Sequence, residues 1–147
     1  MTDAWTALQF NASINAGDAD GLAARMTDDH AFVDTAGSVV RGREACREAW
    51  RGFFEAFPTY RNEFDRVHVT ADGLVVAVGR SVCADHAALD GPAIWTARVA
   101  GDLVAEWRVH EDTSEVRRRL DVVDQSPRPR GATGRRILPP DPGTGLA

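Results

Sequence analysis

Cysteine is scarce in this sequence: Cys46 and Cys83 are the only two among 147 residues. Their spacing fits no metal-ligand pattern, so in a reducing compartment they are expected as free, buried thiols. Positive charge is outnumbered, 17 basic residues against 22 acidic ones. The net charge is −5 and no basic patch interleaved with aromatics occurs, whereas nucleic-acid binding is driven by a clustered positive field. A nucleic-acid partner is therefore not expected. No apolar run approaches the roughly 20 residues that span a bilayer, and MTDAWTALQF lacks the charged and apolar regions of a signal peptide. No membrane partner and a cytoplasmic location are the corresponding expectations. Without ligand spacing or a glycine-rich phosphate loop, no metal, nucleotide or other cofactor is expected either.

What is present is an ordinary globular composition, 44% apolar and 27% charged, on a chain of single-domain length. The composition shifts near residue 125. The final stretch, SPRPRGATGRRILPPDPGTGLA, holds five of the seven prolines and four arginines against one acid. It cannot bury enough apolar surface to offset the entropy of ordering it. Residues 1–124 are read as the folded domain and 125–147 as a tail, either solvated or resting on the acidic body or a partner subunit.

Within the body, Trp5, Leu8 and Ala12 form a stripe along a helix over 3–16. Gly17 breaks it, and Asp18 caps a second helix over 19–26. HAFVDT and SVVR make a small hairpin around Ala36-Gly37. A third helix follows in REACREAWRGFFEAF, with Cys46, Trp50, Phe53, Phe54 and Phe57 on one apolar face, and Pro58 ends it. Four longer antiparallel strands are expected over 60–70, 74–84, 93–100 and 103–111, with turn chemistry between them. A helical segment, DTSEVRRRL, opens with Asp112 as its cap and Glu115 three residues on. Helices followed by a meander predict an α+β fold, a curved antiparallel sheet wrapped around three helices.

Gly101-Asp102 suits a two-residue type II′ hairpin. Continued as a regular ladder, that turn pairs Ala97 with Glu106, Trp95 with Arg108 and Ala93 with His110. Apolar alternation points the other way, to Leu103, Ala105, Trp107 and Val109 as the buried row, which a three-residue loop over 100–102 would satisfy. One residue of register inverts every side chain. The two-residue reading is preferred, with Trp107 then covered by a second subunit. On the strand LVVAVGRSVCA, Arg80 stands among Val76, Val78 and Val82; facing inward, it would need an anionic partner such as Glu106, Asp34 or a substrate.

INAGDADGLAARMTDDHAFVDTAGSVVRGREACREAW, followed by a meander ending in GDLVAEWRVHEDTSEVRRRL, resembles the SnoaL-like branch of the nuclear transport factor 2-like superfamily. The ketosteroid isomerases and limonene-type epoxide hydrolases also belong to that superfamily. The likeness runs from about residue 5 to residue 120. It implies a cone with a blind central pocket, lined by the row Glu106, Arg108 and His110, and a homodimer through the convex sheet face. It places Asp34 at the isomerases' base position. Phe10 stands where they carry an oxyanion tyrosine and Trp95 where they carry a protonated aspartate, so steroid isomerisation is not implied. Arg108 replaces the last-strand aspartate of the cyclases and epoxide hydrolases.

The expected site is therefore Asp34 as base, His110 as proton donor and Arg108 as oxyanion holder, stacked on Trp95. Arg80, Trp95, Glu106, Phe10, Trp50 and Phe54 would contact the substrate. Asp34 has an alternative reading, as the opener of a tight turn. His30, His68 and His86 are read as surface or loop residues. Two functions follow: a cofactor-free acid-base enzyme acting on a small organic molecule (isomerase, cyclase, dehydratase or hydrolase), or a non-catalytic ligand-binding or dimerisation module.

Overall fold

The structure is a computed structural model that describes residues 2–123; the expected tail over 125–147 lies outside them. The order of elements is α1 (Asp3–Asn15), α2 (Ala19–Ala23), β1 (Met26–Val33), β2 (Val39–Arg41), α3 (Arg43–Ala56), β3 (Arg61–Val69), β4 (Val75–Val82), a 3-10 turn (Ala87–Leu89), β5 (Gly91–Ala100), β6 (Leu103–Glu111) and α4 (Ser114–Arg119). The expected α+β architecture is present. Six strands form one sheet in the order β2-β1-β6-β5-β4-β3, with α1 and α3 packed on one face and α4 on the other.

Local signals account for most boundaries. The Thr2 hydroxyl caps α1 through Trp5 N and Asp18 caps α2 through Gly21 N, each satisfying a backbone donor the helix cannot. α2 is shorter than expected, because Met26 already belongs to β1 and is fully buried. α4 is capped by Thr113, not Asp112; the Asp112 carboxylate holds the Arg117 guanidinium. Gly42 enters α3 at φ +102°, a conformation that favours glycine, and its N–H reaches the His30 carbonyl at 2.7 Å.

An asparagine cluster fixes α1 across β3. Asn62 N donates to Asn15 Oδ1 at 2.8 Å, Asn15 Nδ2 donates back to Asn62 O at 2.9 Å, and Asn62 Nδ2 donates to Asn11 Oδ1 at 3.0 Å. Asn11 and Asn62 are buried and need partners, which all their side-chain polar atoms but Asn62 Oδ1 find among the described residues, and the mutual geometry of the cluster sets where α1 crosses the sheet.

The sheet departs from the expected purely antiparallel form: β1 runs parallel to β6, pairing Ala31 with Glu106, Phe32 with Trp107 and Val33 with Arg108. The turn is the expected two-residue one, with Gly101 at φ +66° and Ala100 facing Leu103. The regular ladder drawn from it does not continue. Val99 pairs with Val104, but Arg98 pairs with Glu106, leaving Ala105 as an extra residue. Such a bulge flips all that follows. Ala97 thus faces Trp107, Trp95 faces Val109, Thr96 faces Arg108 and Ile94 faces His110.

The consequence is a clean division. The helix-side face carries Trp95, Trp107, Val109, Val75 and Ala77 against Phe10, Ile14, Trp50 and Phe53. The outer face carries Thr96, Arg98, Glu106, Arg108 and His110, and α4 covers only its Val76, Val78 and Ile94 end through Leu120 and Val116.

Candidate active site

Three of the expected binding residues lie together inside. Phe10, Trp50 and Trp95 are buried in the helix-side core, with Phe54 half-buried beside Trp50 at a ring distance of 5.4 Å. Trp107 joins them. It is 1% exposed within a single chain and packs on Phe10 at 4.7 Å, which corrects its expected place on the convex face under a second subunit.

Glu106, Arg108 and His110 lie on the opposite face, so the expected pocket row points away from the helices and the Trp95–Arg108 stack does not form. Arg80 shares that outer face but is exposed at the strand end opposite Glu63 and Pro92, outside the apolar layer expected for it. The Nε2 of His110 meets Thr96 Oγ1 at 2.9 Å. Burial, then the charges of Arg108 and Arg119, push its pKa down to about 4, so it is neutral at physiological pH. Asp34, half-buried at the end of β1, accepts hydrogen bonds on Oδ1 from Ala36 N and Ser38 N, both at 2.9 Å. That is an Asx turn, the alternative reading of this residue.

The interior also holds His30, which was expected at the surface or in a loop. His30 is fully buried, on the same strand face as Phe32, and its ring packs 5.5 Å from Phe10. Its Nδ1 lies 2.7 Å from the carbonyl oxygen of Val104, at the bulge. A carbonyl only accepts, so Nδ1 carries the proton and the neutral ring presents a bare lone pair on Nε2. Burial lowers its pKa, the Val104 bond opposing this. No described residue reaches Nε2, nor the indole N–H groups of Trp50 and Trp107, all of them buried.

One acceptor and two donors thus stand unpaired in an aromatic interior, where such groups ordinarily find partners. Of these three residues Trp107 alone borders a cavity of about 10 Å³, lined also by Ala7, Phe64, Val75 and Trp95 among others, about the volume that holds one water. Phe10 touches both Trp107, on the wall of that cavity, and His30. Among the described residues no group of three or more His, Cys, Asp or Glu is placed to hold a metal, and no helix is long and apolar enough to cross a membrane.

Solved structures share this architecture. A cystatin-fold protein from Novosphingobium aromaticivorans matches with a TM-score of 0.65 at 23% identity, over 74% of this chain and 97% of its own. A nuclear transport factor 2-like protein from Cytophaga hutchinsonii matches at 0.61 and 10% identity, over 79% and 96%. SalBIII, an epoxide hydrolase/cyclase-like enzyme of pyran ring formation in the polyether salinomycin, matches at 0.63 and 18%, over 75% and 90%. Identities this low establish the fold alone. No curated protein matches the sequence. Residues 7–123 match the family described as the SnoaL-like domain, and the chain belongs to that family.

Proposed function

We propose that the chain is a cofactor-independent acid-base enzyme that acts on a small, largely apolar molecule held between the helices and the sheet. The observation that carries this reading is the fixed tautomer of His30, with Nε2 unpaired in the interior. In this reading Nε2 takes a proton from a carbon beside a carbonyl, and the C–H electrons pass into the forming enolate. The indole N–H of Trp107 or Trp50 donates to the enolate oxygen, where a preorganised donor in a dry site is worth most. Isomerisation, cyclisation and dehydration can all be built on such a proton transfer; in hydrolysis Nε2 would instead take its proton from the attacking water. The family and the cyclase-like neighbour support a cyclase-type role.

Substrate entry requires more room than 10 Å³. Displacement of Phe10 would join the cavity to His30, and α1 is the wall that carries Phe10. Its asparagine-bonded side is anchored on Asn62, while Trp5 and Leu8 remain substantially exposed.

The test needs no natural substrate. Exchange of the α-protons of a cyclic ketone in deuterated water, followed by NMR, reports proton abstraction directly. The wild-type chain is expected to accelerate exchange. His30→Asn, which can keep a donor toward Val104 O but has no Nε2, should lose about 10²-fold or more of that acceleration, the usual contribution of a positioned base. Equal rates for the two proteins would reject the assignment. Ketone binding without exchange would favour the second reading, a non-catalytic binding module, which the nearly filled interior supports.

A further inference from the structure

The outer face of the sheet carries a feature that the interior reading leaves unused. Two adjoining open clefts, of about 490 and 390 Å³, share Arg98, Glu106 and Arg108. One continues to His110 and to Arg119 of α4, and the other to Arg41 and Asp29 across β1 and β2. Together they are lined by four guanidiniums against two carboxylates, on a chain whose net charge is −5.

The arrangement follows from register. Across the sheet, Arg41 pairs with Ala31, Ala31 with Glu106 and Glu106 with Arg98; in the next row Val33 pairs with Arg108 and Arg108 with Thr96. Ala31, Val33 and Thr96 are small, so the floor is low and the arginines stand as walls. Among the described residues Arg108, Arg119 and Arg41 have no carboxylate within 4.0 Å, Glu106 forms no ion pair, and Arg98 reaches only Asp72, at 3.9 Å. The depressed pKa of His110, partly due to Arg108 and Arg119, reports the same positive potential.

We propose that this trough binds a small oxyanion, a carboxylate or phosphate group, with Arg98 and Arg108 as its direct ligands. A planar guanidinium presents paired N–H donors that match either group. Thr96 Oγ1 and Arg119 border the same cleft and complete the cation-rich surroundings. The site lies on the face opposite His30, so its failure would leave the interior reading untouched, and the reverse also holds.

The experiment is a titration of the full chain with inorganic phosphate and, separately, succinate at low ionic strength, following arginine Nε–H resonances by NMR. A saturable shift of Arg98 and Arg108 is expected with at least one probe, and the tighter probe identifies the preferred group. Arg98→Gln and Arg108→Gln should each weaken binding about tenfold or more, with unchanged melting temperatures because neither arginine is buried. Bound anion should also raise the pKa of His110, which simple ionic-strength screening by matched sodium chloride should not reproduce. The proposal is overturned if no shift saturates below about 10 mM, if the glutamine variants bind equally well, or if light scattering shows a dimer in which neither probe shifts the Arg108 resonance.

Discussion

Trp107 and Arg108 are neighbours on β6 and inhabit different chemistries. One ring is sealed between Phe10 and the sheet; the next side chain lines an open trough with no ionic partner among the described residues. The two faces differ in how a titrating group is controlled. Inside, His30 is governed by desolvation and one carbonyl. Outside, His110 is governed by burial under α4 together with two guanidiniums. Both contrasts depend on the bulge at Ala105, which aims Trp107 inward and lies beside the Val104 carbonyl that orients His30. A single extra residue therefore decides which side chains of β6 enter the aromatic interior and which line the charged trough.

The largest expected effect tests that division directly. Trp107→Ala should lower unfolding free energy by about 3–5 kcal/mol, as removal of a buried large aromatic does, while Arg108→Ala should change it by less than about 1 kcal/mol. Urea denaturation of the two variants beside the wild type measures both. Comparable losses would mean that the faces are not distinct.

The next effect concerns acid. The folded-state pKa of His110, about 4, lies below its ordinary value of 6.5. The unfolded chain therefore takes up this proton first. Stability is fully present above about pH 6.5 and falls as pH drops toward 4, at roughly 1.4 kcal/mol per pH unit for one group. Between pH 7 and 4.5 the loss should be on the order of 2–3 kcal/mol. His30 adds in the same direction, since its pKa is also lowered. His110→Gln, which can keep a hydrogen bond to Thr96, should remove the outer-face share of this dependence and leave that of His30. Urea midpoints at the two pH values, for wild type and variant, separate the contributions.

The same residues show what the sequence made legible. The helices, the apolar face of α3 and the Asp18 cap were readable because each is a local pattern of 3.6-residue period or a single capping side chain; the stripe expected on α1 was not, since Trp5, Leu8 and Ala12 are exposed and α1 buries Ala7, Phe10, Asn11 and Ile14 instead. The hairpin turn held, and so did the far half of the apolar alternation: Trp107 and Val109 face inward, whereas Ala105 lines the outer trough and Val104 enters the core in its place; in a regular ladder the two signals contradict each other. Only the bulge reconciles them, and Ala105 carries no local mark of one. The parallel pairing of β1 with β6 is non-local and leaves no sequence signature. His30 was within reach: in HAFVD, residues 30, 32 and 34 share one strand face, and Phe32 is buried. Its partner is a backbone carbonyl 74 residues away, a contact that no search for side-chain spacing can find.

Asp34 supplies the smallest effect and the finest distinction. It follows Phe32 on the inner side of β1, yet its Oδ1 is engaged by two backbone N–H groups of the turn. If the carboxylate serves the turn alone, Asp34→Asn, which keeps an oxygen acceptor, should stay within about 0.5 kcal/mol of wild type. Asp34→Ala should lose about 1 kcal/mol, the usual cost of a side-chain to backbone bond at such a site. Ketone proton exchange should then be equal in wild type and Asp34→Asn. If exchange instead falls in Asp34→Asn while stability holds, the carboxylate takes part in proton transfer, and the base would belong to the rim of β1 instead of to the interior around His30.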